Sequence, residues 1–168
     1  MSETPENRPQ ADDRLEIYDM PGHLIRRMHQ AAVAIFDNEV RAAGADLTPV
    51  QFAAMMKIAA EPGIDQASVA QAIAYDRVTI GGVVDRLEAK GLVRREIDRR
   101  DRRARRLYLE RTGETVLDHV RPIVREAQDK ILAGLGEDER AALTTLLRKA
   151  LTRVGDVSRT PLRLPNAG

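Results

Sequence analysis

Residues Thr79–Gly113 decide the fold: TIGGVVDRLEAKGLVRREIDRRDRRARRLYLERTG. The spacing of apolar residues changes once along this stretch. Ile80, Val83, Val84 and Leu87 recur at helical intervals, so a helix from Arg77 to about Lys90 must turn that face inward. Gly91 ends it. Beyond Gly91 the period falls to two, and LVRREI and ARRLYLE read as strands joined by the charged link DRRDRR. Just upstream, DQASVAQAIA is a short helix with Asp65 as N-cap, and Asp76 in the turn YDR caps the next helix. Short helix, tight turn and second helix form a helix-turn-helix, and the basic hairpin that follows makes it a winged helix.

Working outward, LTPVQFAAMMKIA opens with Thr48 as N-cap and Pro49 at the first helical position, and EPG breaks it. Further upstream, Asp13 to Ala43 carries one long helical pattern that Gly44 ends. Ile17, Leu24, Met28, Ala31 and Ile35 form one stripe; Ile25, Ala32, Phe36 and Val40 form another, so this helix is covered on more than one side. After the hairpin, a helix from about Gly113 to Ala133 takes Thr112 as N-cap and bends at Pro122. GLG breaks it, and a last helix covers about residues 137–157 with Leu143, Leu146, Leu147, Ala150, Leu151 and Val154 on one stripe. The expected fold is mainly α, an α+β winged helix over about residues 46–110. Long N- and C-terminal dimerisation helices cover about 13–43 and 113–157, since their stripes exceed what a small winged helix can cover. Residues 1–12 read as a disordered arm and 158–168 as a flexible tail.

Composition narrows the function. Trp is absent and aromatics are scarce, so Leu, Ile, Val, Ala and Met must build the core. Without Cys there is no disulfide framework, zinc-thiolate site or thiol redox sensor. The polar start MSETPENRPQADD has no apolar h-region, and no apolar run is long enough to span a bilayer, so a cytoplasmic location is expected. No Gly-rich phosphate loop follows a strand, and His23, His29 and His119 lack metal-ligand spacing; neither enzyme, metal nor cofactor is expected. The net charge of +1 hides an asymmetry. Eight arginines stand between Arg94 and Arg106 against Glu96, Asp98 and Asp101, while the rest of the chain is net acidic. A compact basic patch is the footprint of a polyanion binder; the bland alternative is a solvated charge run.

The order long helix, LTPVQF, SVAQAI, TIGGVVDRLEAKGLV, DRRDRRARRLYLERTG and two long helices resembles the MarR family of bacterial transcriptional regulators over about residues 20–155. DRLEAKGLVRR followed by DRRDRRARRLYLERTG joins helix end, strand, wing and helix start at the family's spacing. The resemblance implies a two-fold homodimer on a pseudo-palindromic operator in double-stranded DNA. It also implies that regulation is usually repression and that a small aromatic acid releases the DNA.

On the Arg77–Lys90 helix, the face opposite the apolar stripe carries Val78, Gly81, Gly82 and Asp85, with Arg77 and Arg86 at its margins. That face is expected in the major groove. Each glycine costs about 1 kcal/mol in a helix interior, which bare backbone at the closest approach to DNA would explain. Close helix–helix packing is the alternative. Where many members carry an Arg, this chain has Gly82, leaving Arg77 to read guanine and the methyls of Val78 and Thr79 to meet thymine. In the wing, Asp98 and Asp101 orient the turn, and Arg99, Arg100, Arg102 and Arg103 are candidates for the minor groove. Arg94, Arg95, Arg105 and Arg106 read as phosphate contacts or solvated strand residues. The family's effector pocket lies between the dimerisation helices and the winged helix. Here His23 and Arg27, one helical turn apart, with Arg26 and His29 beside them, stand as candidates to hold an aromatic carboxylate against Met28, Phe52, Met55 and Met56. The competing reading makes them interface or surface groups. The alternative to a DNA-binding regulator is a winged-helix protein-interaction or ligand-binding module with weak or no specific DNA recognition.

Overall fold

A computed structural model describes residues 16–98 and 105–154. In chain order it has α1 (Glu16–Asp19), α2 (Pro21–Ala42), α3 (Pro49–Ala60), β1 (Ile64–Asp65), α4 (Gln66–Ala72), α5 (Arg77–Ala89), β2 (Val93–Ile97), β3 (Arg105–Leu109), α6 (Arg111–Ile131) and α7 (Glu137–Val154). This is a mostly helical winged helix with a small antiparallel sheet. The expected arm and tail, and the end of the last helix beyond Val154, lie outside the described residues.

The first long helix is not continuous. Met20 is extended (φ −70°, ψ 123°) and Pro21 opens α2. A residue before proline avoids the helical region, and proline has no N–H to continue the ladder, so the pattern from Asp13 splits at residue 20. Gly44 ends the unit with φ +75°.

The caps lie where short polar side chains precede apolar runs. Thr48 and Gln51 form a reciprocal box: the Gln51 amide donates to Thr48 Oγ1 at 3.3 Å, and the Thr48 amide to Gln51 Oε1 at 3.1 Å. Asp65 accepts from the Ser68 amide at 3.0 Å, and Asp76 from the Thr79 amide at 2.8 Å. Between α4 and α5, Ala74 takes a left-handed conformation (φ +58°) that closes the helix-turn-helix.

The sheet order is β1-β3-β2, antiparallel throughout, with Arg95 opposite Leu107 and Ile64 opposite Leu107 on the other side. The two residues of β1 are too few for an alternating pattern to announce them. Thr112 is not an N-cap. Its hydroxyl donates to the Gly91 carbonyl, while Glu110 holds the cap position without a side-chain bond and α6 begins two residues earlier than the apolar pattern suggests. The Glu110 amide donates to the Leu92 carbonyl at 3.0 Å. α6 continues through Pro122 to Ile131.

One core joins α3, α4, α5, the sheet, α6 and the last turns of α2. Met55, Ile58, Ile80, Val83, Val84, Leu87, Leu107, Leu117 and Val120 are fully enclosed, with Phe36 and Val40 beside them. Among the described side chains, none of α7 belongs to it. Ile17, Leu24, Ile25 and Met28 at one end, and Leu146, Leu147 and Leu151 on α7, remain exposed. Among the described residues no helix is long and apolar enough to cross a membrane.

Candidate nucleic-acid interface

The faces of α5 divide as the sequence spacing requires. Ile80, Val83, Val84 and Leu87 are fully buried; Arg77, Val78, Thr79, Asp85 and Arg86 are exposed. Val78 is 87% exposed, so its methyl groups are open to a partner. The Thr79 hydroxyl donates to Asp76, so its methyl is the part left to meet a base. Arg77 and Arg86 form no ion pair among the described residues. The hydrogen bonds from the Thr79 hydroxyl and amide hold the Asp76 carboxyl below the ordinary carboxylate value, keeping an anion at the N-terminus of α5.

The two glycines are not equivalent. A Cβ at Gly81 would lie 3.3 Å from Gln66 Nε2, a tight approach across the α4–α5 contact. A Cβ at Gly82 would meet only the Arg86 guanidinium, at 3.6 Å. Gly81 therefore lies close against the end of the Gln66 side chain, whereas a Cβ at Gly82 would meet nothing tight among the described residues.

The charged hairpin is less open than its composition suggests. Arg94 donates to Glu96 at 2.9 Å and to the Leu109 carbonyl at 3.1 Å, and its guanidinium lies 4.8 Å above the centre of the Tyr108 ring. Arg106 donates to Asp98 at 2.6 Å and to the Gly63 carbonyl at 3.0 Å. Arg95 donates to Asp85 at 2.6 Å and Glu88 at 2.7 Å. Arg105 is engaged as well. These strand arginines are tied into the fold, not simply solvated. The tip, with Arg99, Arg100, Asp101, Arg102 and Arg103, lies outside the described residues.

The expected ligand residues do not converge within one chain. His23 packs edge-on against Tyr18 at 5.6 Å, and its Nε2 is buried without a partner among the described residues. Arg26 bonds Gln30 at 3.0 Å, and Arg27 and His29 are exposed. Phe52 packs on Phe36, with ring centres 5.9 Å apart. Phe36 is thirteen residues, about 20 Å, along α2 from His23. Met55 is enclosed in the core and offers no surface to a pocket. Among the described residues no group of His, Asp or Glu is arranged to hold a metal ion.

Residues 45–104 match the sequence model of the MarR family. The transcriptional repressor NicR of Pseudomonas putida is 32% identical over 148 residues, 88% of this chain and 92% of that protein. The chain belongs to the MarR family. Two solved MarR-type structures share its fold. BpsR of Bordetella bronchiseptica, whose DNA binding is regulated by 6-hydroxynicotinic acid, is 31% identical with a TM-score of 0.74, over 79% of this chain and 93% of that one. The repressor CouR, bound to a 23-mer DNA duplex, is 27% identical with a TM-score of 0.74, over 89% and 99%. The protein is thus a DNA-binding transcription regulator and not an enzyme. In this MarR chain α4 and α5 form the helix-turn-helix and β2–β3 the wing.

Proposed function

We propose that the protein is a cytoplasmic homodimeric repressor that holds a pseudo-palindromic operator and lets go of it on binding a small aromatic carboxylate. The observation that carries the dimer is the uncovered apolar surface of the terminal helices. Ile25 is 57% exposed and Leu146 62%, and their neighbours on both stripes are open as well. A second copy of the same surface, applied two-fold, removes this area from water and sets two recognition helices for two half-sites. The effector reading rests on His23 and Arg27, a ring nitrogen and a cation one turn apart and without partners among the described residues, and on the hydroxylated pyridine carboxylate that regulates BpsR. Because Phe52 packs on Phe36, about 20 Å along α2 from His23, a pocket containing both would draw on the second chain.

The test is a titration of the chain onto the duplex upstream of its own gene, with and without hydroxybenzoates and hydroxynicotinates, alongside sedimentation. A dimer that binds this duplex and loses affinity by about 1–3 kcal/mol of coupling with one of these acids supports the reading. A monomer at micromolar concentration removes the dimer. Failure of every acid removes the effector. Failure to prefer this duplex over random DNA favours the interaction-module alternative.

A further inference from the structure

Arg95 lies where it can decide how the recognition helix meets DNA. Its side chain leaves β2, is 21% exposed, and crosses to α5. Nη2 donates to Asp85 at 2.6 Å and Nη1 to Glu88 at 2.7 Å, while Nη2 also reaches Gln66 Oε1 at 3.4 Å. One guanidinium thus ties the wing strand to both helices of the helix-turn-helix. Asp85 and Glu88 stand one turn apart on α5, and Asp85 shares the exposed face of Val78, Gly81 and Gly82, with its side chain 67% exposed. A bare carboxylate there would face the phosphate backbone and repel it.

We propose that Arg95 is a positioning residue for DNA recognition. It offsets part of the negative charge of Asp85 and Glu88 beside the groove face and fixes the angle between recognition helix and wing, without itself touching the DNA. Three features support this. The donors of Arg95 are directed at acceptors within the chain. The assembly of one cation and two carboxylates is net negative, so it does not attract a phosphate. Gly81 completes the arrangement, because a side chain there would press on Gln66 and, through it, on Arg95. Exposed ion pairs of this kind add little to fold stability, which leaves the effect to be read on DNA.

The full chain is titrated onto a labelled duplex spanning the segment it protects upstream of its own gene, and onto a random duplex of equal length, across a salt series. Arg95→Gln is expected to weaken both complexes at least tenfold. Adding Asp85→Asn and Glu88→Gln to Arg95→Gln is expected to restore random-duplex affinity to within threefold, with the wild-type salt slope. The ratio of protected to random affinity stays below that of the wild type, since the bracket is gone. If the triple variant stays as weak as the single one with a log–log salt slope about one unit smaller, Arg95 contacts a phosphate directly and the proposal is overturned. Wild-type binding by Arg95→Gln overturns it too. Should Arg95→Gln not fold, Arg95→Lys serves: it keeps the charge but cannot span both carboxylates, so random affinity should hold while the ratio falls. A Lys variant with the wild-type ratio overturns the bracket.

Discussion

Gly113 sits so close to Leu92 that a Cβ built on it would lie 2.1 Å from the Leu92 carbonyl oxygen. That oxygen already accepts the Glu110 amide. The first turn of α6 is therefore seated directly on the backbone at the foot of the wing. Backbone cannot swing aside as a side-chain tip can. Gly113→Ala should lower stability by about 1–3 kcal/mol, the range for overpacked sites, read as a drop in the urea midpoint with unchanged slope. Unaltered stability would mean that α6 is not seated there.

Gly81 and Gly82 should respond differently to alanine. In the free protein Gly82→Ala should be neutral or stabilising by up to about 1 kcal/mol, since its Cβ meets nothing tight. Gly81→Ala should gain less, because Gln66 must give way. Both should weaken operator binding, and Gly82→Arg should raise random-DNA affinity while lowering the operator-to-random ratio. Normal operator binding by both alanine variants would place the glycines outside the DNA contact.

Ala74 holds φ +58° in the turn between α4 and α5, where a Cβ costs about 1–2 kcal/mol. Ala74→Gly removes that strain and returns part of it as unfolded-state entropy. Stability should rise by about 0.5–1 kcal/mol in thermal and denaturant unfolding. A loss of stability would show that the turn depends on the alanine methyl.

Acid should destabilise the protein through the Asp76 cap and the Asp46–Lys90 ion pair. The Asp76 carboxyl is held low by its bonds from Thr79, and that of Asp46 by the hydrogen bond and charge of Lys90. A carboxyl whose folded value lies below its unfolded value contributes stability that is full above the unfolded value, near pH 4, and is lost as the pH falls through the folded value. Asparagine at residue 76 still accepts the Thr79 amide but does not titrate. The advantage of wild type over Asp76→Asn in unfolding midpoint should therefore vanish between pH 5 and the acid limit. An advantage that persists at the lowest pH would exclude the carboxylate as its source.

The helix-turn-helix was legible because its signals are local. Thr48, Asp65 and Asp76 announce helix starts within three residues, and Ile80, Val83, Val84 and Leu87 name the buried face. Other features depend on neighbours that sequence distance hides. Apolar stripes running across residue 20 mask the break that Pro21 imposes. Gly113 looks like a helix start until Leu92 is seen beneath it. Counting arginines in the hairpin predicts a field but not its pairing, since the partners of Arg95 lie seven and ten residues earlier and on another element. Residue types alone link His23 to Phe52, and within one chain their partners, Tyr18 and Phe36, lie far apart on α1 and the far part of α2.

The 21 residues of α6 span about 30 Å. With one end seated on the wing, the helix works as a lever. A tilt of about 6° at one end carries the other through roughly 3 Å, close to the rise of one base pair along a strand. In the proposed regulator a small molecule would therefore not need to reach the DNA, because a tilt of this size about the far end of α6 would displace the winged helix by about one base-pair step.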